Sequence, residues 1–168
     1  ASADVRYPTA RGSLLFDAQL VYSSISADKG DALSTFAISL GAQTFVVRGV
    51  GVGLEIGSTS LSEGSTTLAS AFFIGPRVLL SLGSEKSTVF PYLHLAYNHV
   101  SVELPNSRRS SSSQTANSFK VGLGFLFKSF GPVGIPLEFG AEFQSFDKTT
   151  ITTYTIGVGV SGFLYELF

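Results

Sequence analysis

The sequence predicts an all-β fold: an eight-stranded antiparallel up-and-down β-barrel that spans a membrane. Segments of about ten residues alternate apolar and other side chains with the period of two that marks a strand. One alternating face is aliphatic and uncharged, and the charged residues of the same segments share the opposite face. Each segment has the length of a tilted transmembrane strand, about 9–11 residues. Charged residues make up only 14% of the chain, in keeping with an exterior that faces lipid.

The clearest element is a long hairpin over residues 72–97, with a polar turn at 83–88. Its aliphatic face carries Phe72, Ile74, Pro76, Val78, Leu80 and Leu82, followed by Val89, Pro91, Leu93, Leu95 and Tyr97. The opposite face includes Arg77 and His94. A hairpin of a soluble protein would place polar groups on the face away from its core, whereas this aliphatic face is long and uncharged enough to contact lipid.

The remaining strands repeat this alternation in chain order. They are predicted at 12–23, 34–43, 48–57, 118–128, 135–146 and 150–168. The connections are predicted at 24–33, 44–47, 58–67, 101–117, 129–134 and 147–149. Residues 1–11 are polar and are interpreted as an N-terminal lead-in, so residues 12–168 form the barrel domain.

The connections predict how the barrel is oriented. Those after strands one, three and five are the longer and more polar ones, and those after strands two, four and six are short. Barrels of the bacterial outer membrane have short periplasmic turns and longer external loops. We therefore expect an integral outer-membrane protein, a monomer, with both termini in the periplasm.

The charged residues of the strands occupy the face that would line the lumen. They are Asp17, Glu55, Arg77, Lys120, Lys128, Glu138 and Glu142, joined by His94. A Lys or Arg facing lipid at mid-bilayer would cost roughly 2–4 kcal/mol, so this pattern orients every strand. Interior charges are expected to pair. The predicted pairs are Lys120 with Glu142, Lys128 with Glu138, and Glu55 with Arg77. Side chains nearly fill an eight-stranded barrel, so a plugged lumen is predicted.

Three short motifs connect the chain with a known family. They are Gly75-Pro76-Arg77-Val78 in strand four, Pro91-Tyr92-Leu93 at the start of strand five, and the terminal Phe168. On these motifs the chain resembles the small eight-stranded outer-membrane barrels of the OmpA and OmpX type. The resemblance implies that Phe168 belongs to the signal read by the barrel-assembly machinery. The chain departs from the family's pattern at Tyr165, which is out of phase with Phe168, and at Glu166.

The sequence offers little support for metal or catalytic chemistry. The chain has two histidines and no cysteine, so a metal at His94 lacks partner ligands, and we expect an interior histidine and no cofactor. His99, Ser101 and Glu103 share the lipid-facing parity, and this arrangement is similar to one in lipid A deacylases. The Asn-Ala-Gly that follows in that family is replaced here by Val102-Glu103-Leu104. A protein without enzyme activity is predicted, with acyl chemistry at His99 and Ser101 as the alternative.

The most polar segment, 101–117, is the predicted place of partner contacts. It contains Arg108 and Arg109 beside a run of serines, and loops on a rigid scaffold commonly carry binding. These arginines suit the phosphates of lipopolysaccharide or a host polyanion, and a solvated loop without a partner is the alternative. The expected partners are outer-membrane lipids and lipopolysaccharide, the barrel-assembly machinery, and a host or envelope partner at this loop. A net charge of −1 gives no reason to expect nucleic acid.

Three functions of different classes are compatible with these observations. The first is a structural or surface-interaction barrel with a plugged polar lumen, and it is the one we predict. The second is a narrow channel for small or hydrophobic solutes, which requires a continuous lumen. The third is a lipid A-modifying enzyme.

Overall fold

The computed structural model describes residues 9–25, 33–63, 66–84, 87–103, 113–129, 131–146 and 149–164. Eight strands run through them: β1 (Leu14–Ile25), β2 (Leu33–Val47), β3 (Val50–Glu63), β4 (Thr66–Ser81), β5 (Val89–Glu103), β6 (Ser113–Lys128), β7 (Val133–Phe146) and β8 (Thr149–Leu164). Each strand pairs antiparallel with the next in the chain, and the predicted eight-stranded barrel is confirmed. Within these residues no helix combines the length and the apolar character needed to cross a membrane.

The first and last strands close the barrel. β1 and β8 pair antiparallel, from Leu14 opposite Leu164 to Tyr22 opposite Ile156. Backbone amides in hydrocarbon have no solvent partner, so a spanning sheet needs each strand to be paired on both sides. The β1–β8 pairing meets this requirement for the described strands.

Several predicted strand ends are wrong. Residues 58–67 were expected to form a loop, but 58–63 continue β3 and 66–67 begin β4, with Ser58 opposite Phe72 and Glu63 opposite Thr66, while 64–65 lie outside the described residues. Residues 101–103 and 113–117 likewise belong to β5 and β6, while 104–112 lie outside the described residues. The error has one cause. These strand ends carry serine and threonine in place of an aliphatic face, so the sequence pattern predicted a loop there.

The predicted connection at 44–47 is also wrong. β2 continues to Val47, with a shift of register between Phe45 and Val47, and the turn is made by Arg48 and Gly49. Gly49 has a φ of 76°, in the left-handed region that favours glycine. A Cβ at this position would collide with the backbone oxygen of Ser81, so the close approach of β4 also requires glycine.

The aliphatic face of every strand points outward. Leu54, Leu123 and Val160 are each more than half exposed, and Leu123 reaches 64%. The inward positions of the same strands are buried, as at Glu55 and Ser161. This is the reverse of a soluble barrel, and it produces the apolar exterior band expected of a protein in lipid.

An aromatic girdle borders one edge of the apolar band. Its members are Tyr22, Phe36, Phe72, Tyr97, Phe119, Phe143 and Tyr154, all of them exposed. Tyr97, Phe119 and Phe143 are direct cross-strand neighbours on β5, β6 and β7. Aromatic residues are enriched where a barrel crosses from hydrocarbon to headgroups, so this girdle marks one boundary of the bilayer.

The two ends of the barrel differ. We call the end with the β2–β3, β4–β5 and β6–β7 turns the turn end, and the opposite end, beside the girdle, the loop end. Past the girdle, β3 to β6 continue with polar outward residues such as Ser58, His99 and Asn117. These four strands therefore extend beyond the apolar band at the loop end.

The apolar band gives a first testable prediction. Leu123→Lys places an ammonium at the middle of the outward positions of β6, and we expect it to lower the free energy of unfolding by about 2–4 kcal/mol. Urea titration of protein folded in phosphatidylcholine vesicles measures this. Ser145→Lys is the matched control, because Ser145 is also exposed but lies beyond Phe143 of the girdle. Equal effects of the two substitutions would contradict the assigned membrane position.

Candidate functional site in the barrel lumen

The turn-end part of the lumen holds an apolar cluster. Its members are Leu15, Phe45, Leu79, Phe90, Tyr92, Leu126 and Phe163, none more than 5% exposed. Ala10 packs against this cluster from the end of the lead-in. The Thr9 carbonyl accepts a hydrogen bond from the Gly49 amide at 2.9 Å, which joins the lead-in to the β2–β3 turn.

A charged pair lies above the apolar cluster and joins β4 to β1. Arg77 donates through Nη1 to Asp17 Oδ1 at 3.0 Å and through Nη2 to Asp17 Oδ2 at 2.6 Å. Its Nε donates to Gln43 Oε1 at 3.0 Å. Both charged side chains are nearly fully buried, and the bidentate geometry is the strong form of such a contact. Arg77 was predicted to pair with Glu55, and that pairing is wrong.

Glycine explains why Arg77 reaches past its neighbours. In register, Arg77 lies opposite Gly53 of β3, and Asp17 lies opposite Gly41 of β2. A Cβ at Gly41 would overlap the Arg77 guanidinium and approach Asp17 Oδ1. The absence of a side chain at this position therefore lets the guanidinium lie across β2 to the carboxylate on β1.

A second group of bonds converges on Glu138 of β7. Lys120 Nζ lies 3.0 Å from Glu138 Oε1, and Tyr92 donates to Oε2 at 3.2 Å. Lys120 is in register with Glu142, its predicted partner, yet its ion pair is with Glu138. The reason is again a glycine, because a Cβ at Gly122 would meet the Glu138 carboxyl group. Glu138 therefore leans over Gly122 toward Lys120.

His94 links this group to the opposite wall. Its Nδ1 lies 3.1 Å from Glu138 Oε2, and its Nε2 lies 3.3 Å from Glu55 Oε2. Glu55 also accepts a hydrogen bond from Asn98 Nδ2 at 2.5 Å. β3 and β7 stand four strands apart in the closed ring of eight, so His94 bridges facing walls. No group of three or more His, Cys, Asp or Glu suited to a metal occurs among the described residues.

The rest of the predicted lumen charges lie nearer the ends. Lys128 is half-buried and stands opposite Gly134, four residues along β7 from Glu138, whose carboxylate contacts Lys120 and His94. Glu142 is half-buried toward the loop end and accepts a hydrogen bond from Gln144 at 3.1 Å. Sequence reasoning missed the neutral members Gln43, Tyr92 and Asn98. The signal that could have identified them is their position in the strands, since they alternate with the aliphatic residues and so face the lumen.

A cavity of about 320 Å³ occupies the loop-end half of the lumen. Glu55, Asn98 and Lys120 line it on the side of the charged network, and Glu142 and Gln144 line it on β7. Small and apolar side chains make up much of the remaining wall, among them Ala37, Ala71, Phe73 and Val100. The lumen thus has three layers: an apolar cluster, a charged network and a cavity.

Among the described residues, no hydrogen bond joins the outward His99 to Ser101. His99 Nδ1 lies 3.4 Å from Asn117 Oδ1, and Ser101 stands opposite Thr115. Arg108 and Arg109, the predicted contact residues, and Phe168, the predicted assembly signal, lie outside the described residues.

Comparison with known proteins gives a likeness of fold. No protein-family model matches the chain, and no curated protein matches it significantly. Neisserial surface protein A is 14% identical over 92% of this chain and 97% of its own, with a TM-score of 0.65. The N-terminal barrel of OprF from Pseudomonas aeruginosa is 15% identical over 92% and 98%, with a TM-score of 0.64. Ail of Yersinia pestis, in complex with the heparin analogue sucrose octasulfate, is 16% identical over 90% and 99%, with a TM-score of 0.52. The chain has the fold of small outer-membrane barrels, as its motifs implied.

The buried pair generates a prediction of stability. Arg77→Ala leaves the Asp17 carboxylate buried without its cation, and we expect a loss of about 3–5 kcal/mol in the free energy of unfolding. Arg11→Ala is the control: Arg11 is an exposed arginine outside the barrel strands, and about 0.5 kcal/mol is expected there. The double variant Asp17→Asn with Arg77→Ala should regain part of the loss, since no carboxylate is left unpaired. Urea unfolding in vesicles measures all three. Equal losses for Arg77→Ala and Arg11→Ala would overturn the role assigned to Arg77.

Proposed function

We propose that this chain is an integral protein of a bacterial outer membrane, with a lumen that does not conduct and a loop end that meets partners. A single observation carries the proposal: aliphatic residues cover the outside of the barrel, and charged residues lie inside it. The outer-membrane location is also supported by the structural neighbours, which are bacterial outer-membrane barrels.

The contents of the lumen support a closed barrel. Phe45 and Phe90 are completely buried in the apolar cluster at the turn end. An ion would have to displace these rings and then separate Arg77 from Asp17. Each step is unfavourable, because buried charges in a narrow space depend on their partners. The competing function, a channel for small or hydrophobic solutes, requires both layers to open.

The loop end is proposed as the interaction surface. β3 to β6 extend past the aromatic girdle, so the strand ends that flank the β3–β4 and β5–β6 connections lie beyond the apolar band. Loops on a rigid scaffold commonly carry binding. Arg108 and Arg109 fall in the connection between β5 and β6. Ail, which shares the fold, was solved with a sulfated heparin analogue. A polyanion, either lipopolysaccharide phosphate or a sulfated glycan, is the partner chemistry that suits two adjacent arginines.

Closure of the lumen predicts an absence of conductance. Detergent-refolded protein inserted into planar bilayers should give no unitary current steps, because the apolar cluster and the charged network leave no path for ions. Detergent without protein is the blank, and circular dichroism shows that the inserted material is folded. Reproducible current steps from folded protein would refute the closed lumen and favour the channel.

The orientation of the barrel predicts which end is accessible from outside the cell. The chain has no cysteine, so a single introduced thiol is a unique label. A membrane-impermeant maleimide applied to intact cells should label Ser111→Cys, in the β5–β6 connection, and should not label Ser129→Cys, in the β6–β7 turn. Both variants should be labelled after lysis. The opposite pattern would place the termini outside, and labelling of neither variant until the cells are lysed would contradict a surface-exposed loop end.

A further inference from the structure

We propose that the loop-end cavity is a binding site for a small organic cation, an amine carried on an apolar body. This goes beyond the proposed function, which assigns the cavity no ligand, and it is independent of conductance. Three features carry it: the size of the cavity, the apolar character of its wall, and an excess of carboxylate over ammonium among its charged groups.

The size and wall of the cavity suit a small, largely apolar molecule. Its volume of about 320 Å³ lies at the lower end of the range of small-ligand pockets, about 300–1,000 Å³. Ala37, Ala71 and Val100 come from β2, β4 and β5, so the apolar surface lies on several strands around the space. Such a wall favours the burial of hydrocarbon and gives no reason for a fully hydrated metal ion to bind.

The charges in the wall select a cation. Glu55 and Glu142 line the cavity, against a single ammonium group, Lys120. That ammonium is already matched by Glu138 at 3.0 Å. Glu142 has only the neutral donor Gln144, and no cationic group of the described residues forms an ion pair with it. A half-buried carboxylate without a counter-ion attracts a positive ligand.

A neighbouring acceptor points to a ligand that donates hydrogen bonds. Asn98 lines the cavity and is 2% exposed. Its Nδ2 donates to Glu55, but its Oδ1 has no hydrogen-bond partner within the part of the chain that the structure describes. Buried polar atoms are normally satisfied, and an ammonium group supplies up to three donors. The cavity wall therefore combines the Glu142 carboxylate with the Asn98 amide, whose carbonyl oxygen lies next to Gly75 and is unpartnered among the described residues.

The charged network makes the cavity a site of binding and not of passage. Below Glu55 and Lys120 lie the bonds of His94 and Glu138, and below those lies the apolar cluster. A ligand that enters from the loop end meets this floor and leaves by the same route. The site is thus a pocket closed at one end, and the residues of its wall determine which ligand binds.

The test uses three fluorinated probes of similar shape and different charge: 4-fluorophenethylammonium, 3-(4-fluorophenyl)propionate and 1-fluoro-4-propylbenzene. Each is titrated by fluorine NMR against the full chain in phosphatidylcholine nanodiscs, with empty nanodiscs as the measure of lipid partitioning. The ammonium probe should bind saturably and at least tenfold more tightly than the other two. Equal binding of the three probes, or no saturable binding above the empty nanodiscs, would overturn the proposal.

Two variants and one control locate the site. Glu142→Gln keeps the shape of the side chain and removes its charge, so the affinity for the ammonium probe should fall about tenfold. Ala71→Leu adds volume inside the cavity and should weaken all three probes. Glu103→Gln, at an exposed position at the end of β5, should leave the affinities unchanged. Unchanged ammonium binding in both lumen variants would refute the site. If either variant fails to fold, the relative affinities of the three probes for the unmodified chain test the proposal.

Discussion

Hydrocarbon accepts no hydrogen bond and solvates no charge, and this single property of the bilayer accounts for the arrangement of the chain. Every backbone amide in the apolar band must bond to another strand, so the sheet closes on itself through β1 and β8. Every charged side chain of the spanning segments must avoid lipid, so it turns into a lumen that eight strands make narrow. Asp17, Glu55 and Glu138 are close to cations or amides because no other place is available to them.

Glycine determines which of these groups meet. Gly41 leaves the space through which Arg77 reaches Asp17, and Gly122 leaves the space over which Glu138 leans toward Lys120. In each case the small residue lies between the two partners. These contacts therefore depend on uncharged positions as much as on the charged ones. They join β1 to β4, and they join β5 and β6 to β7.

The sequence was sufficient for the fold and for the direction of each strand, but not for the contacts inside. Residues 118–128 could be assigned because an aliphatic face alternates with lysine and glycine. Residues 58–63 and 66–67 could not, because strands beyond the bilayer need no aliphatic face. The predicted ion pairs followed strand-to-strand register. In the structure, Arg77 of β4 instead reaches across β3 and β2 to Asp17 of β1. Lys120 pairs with Glu138, which lies four residues along β7 from Glu142, its neighbour in register. Periodicity gives the side of the sheet on which a residue lies, and only the packed interior gives its partner.

Closure of the sheet has a consequence for how the molecule is made. β1 leaves the ribosome first, yet one of its two edges is satisfied only by β8, the final strand of the described chain. Until that partner is synthesised, Phe16 and Leu20 belong to an open sheet with an exposed apolar face and an unpaired edge strand. Both features promote aggregation of folding intermediates. Biogenesis must therefore shield the β1–β2 hairpin until β8 has been synthesised, and insertion into lipid becomes favourable when β1 and β8 pair.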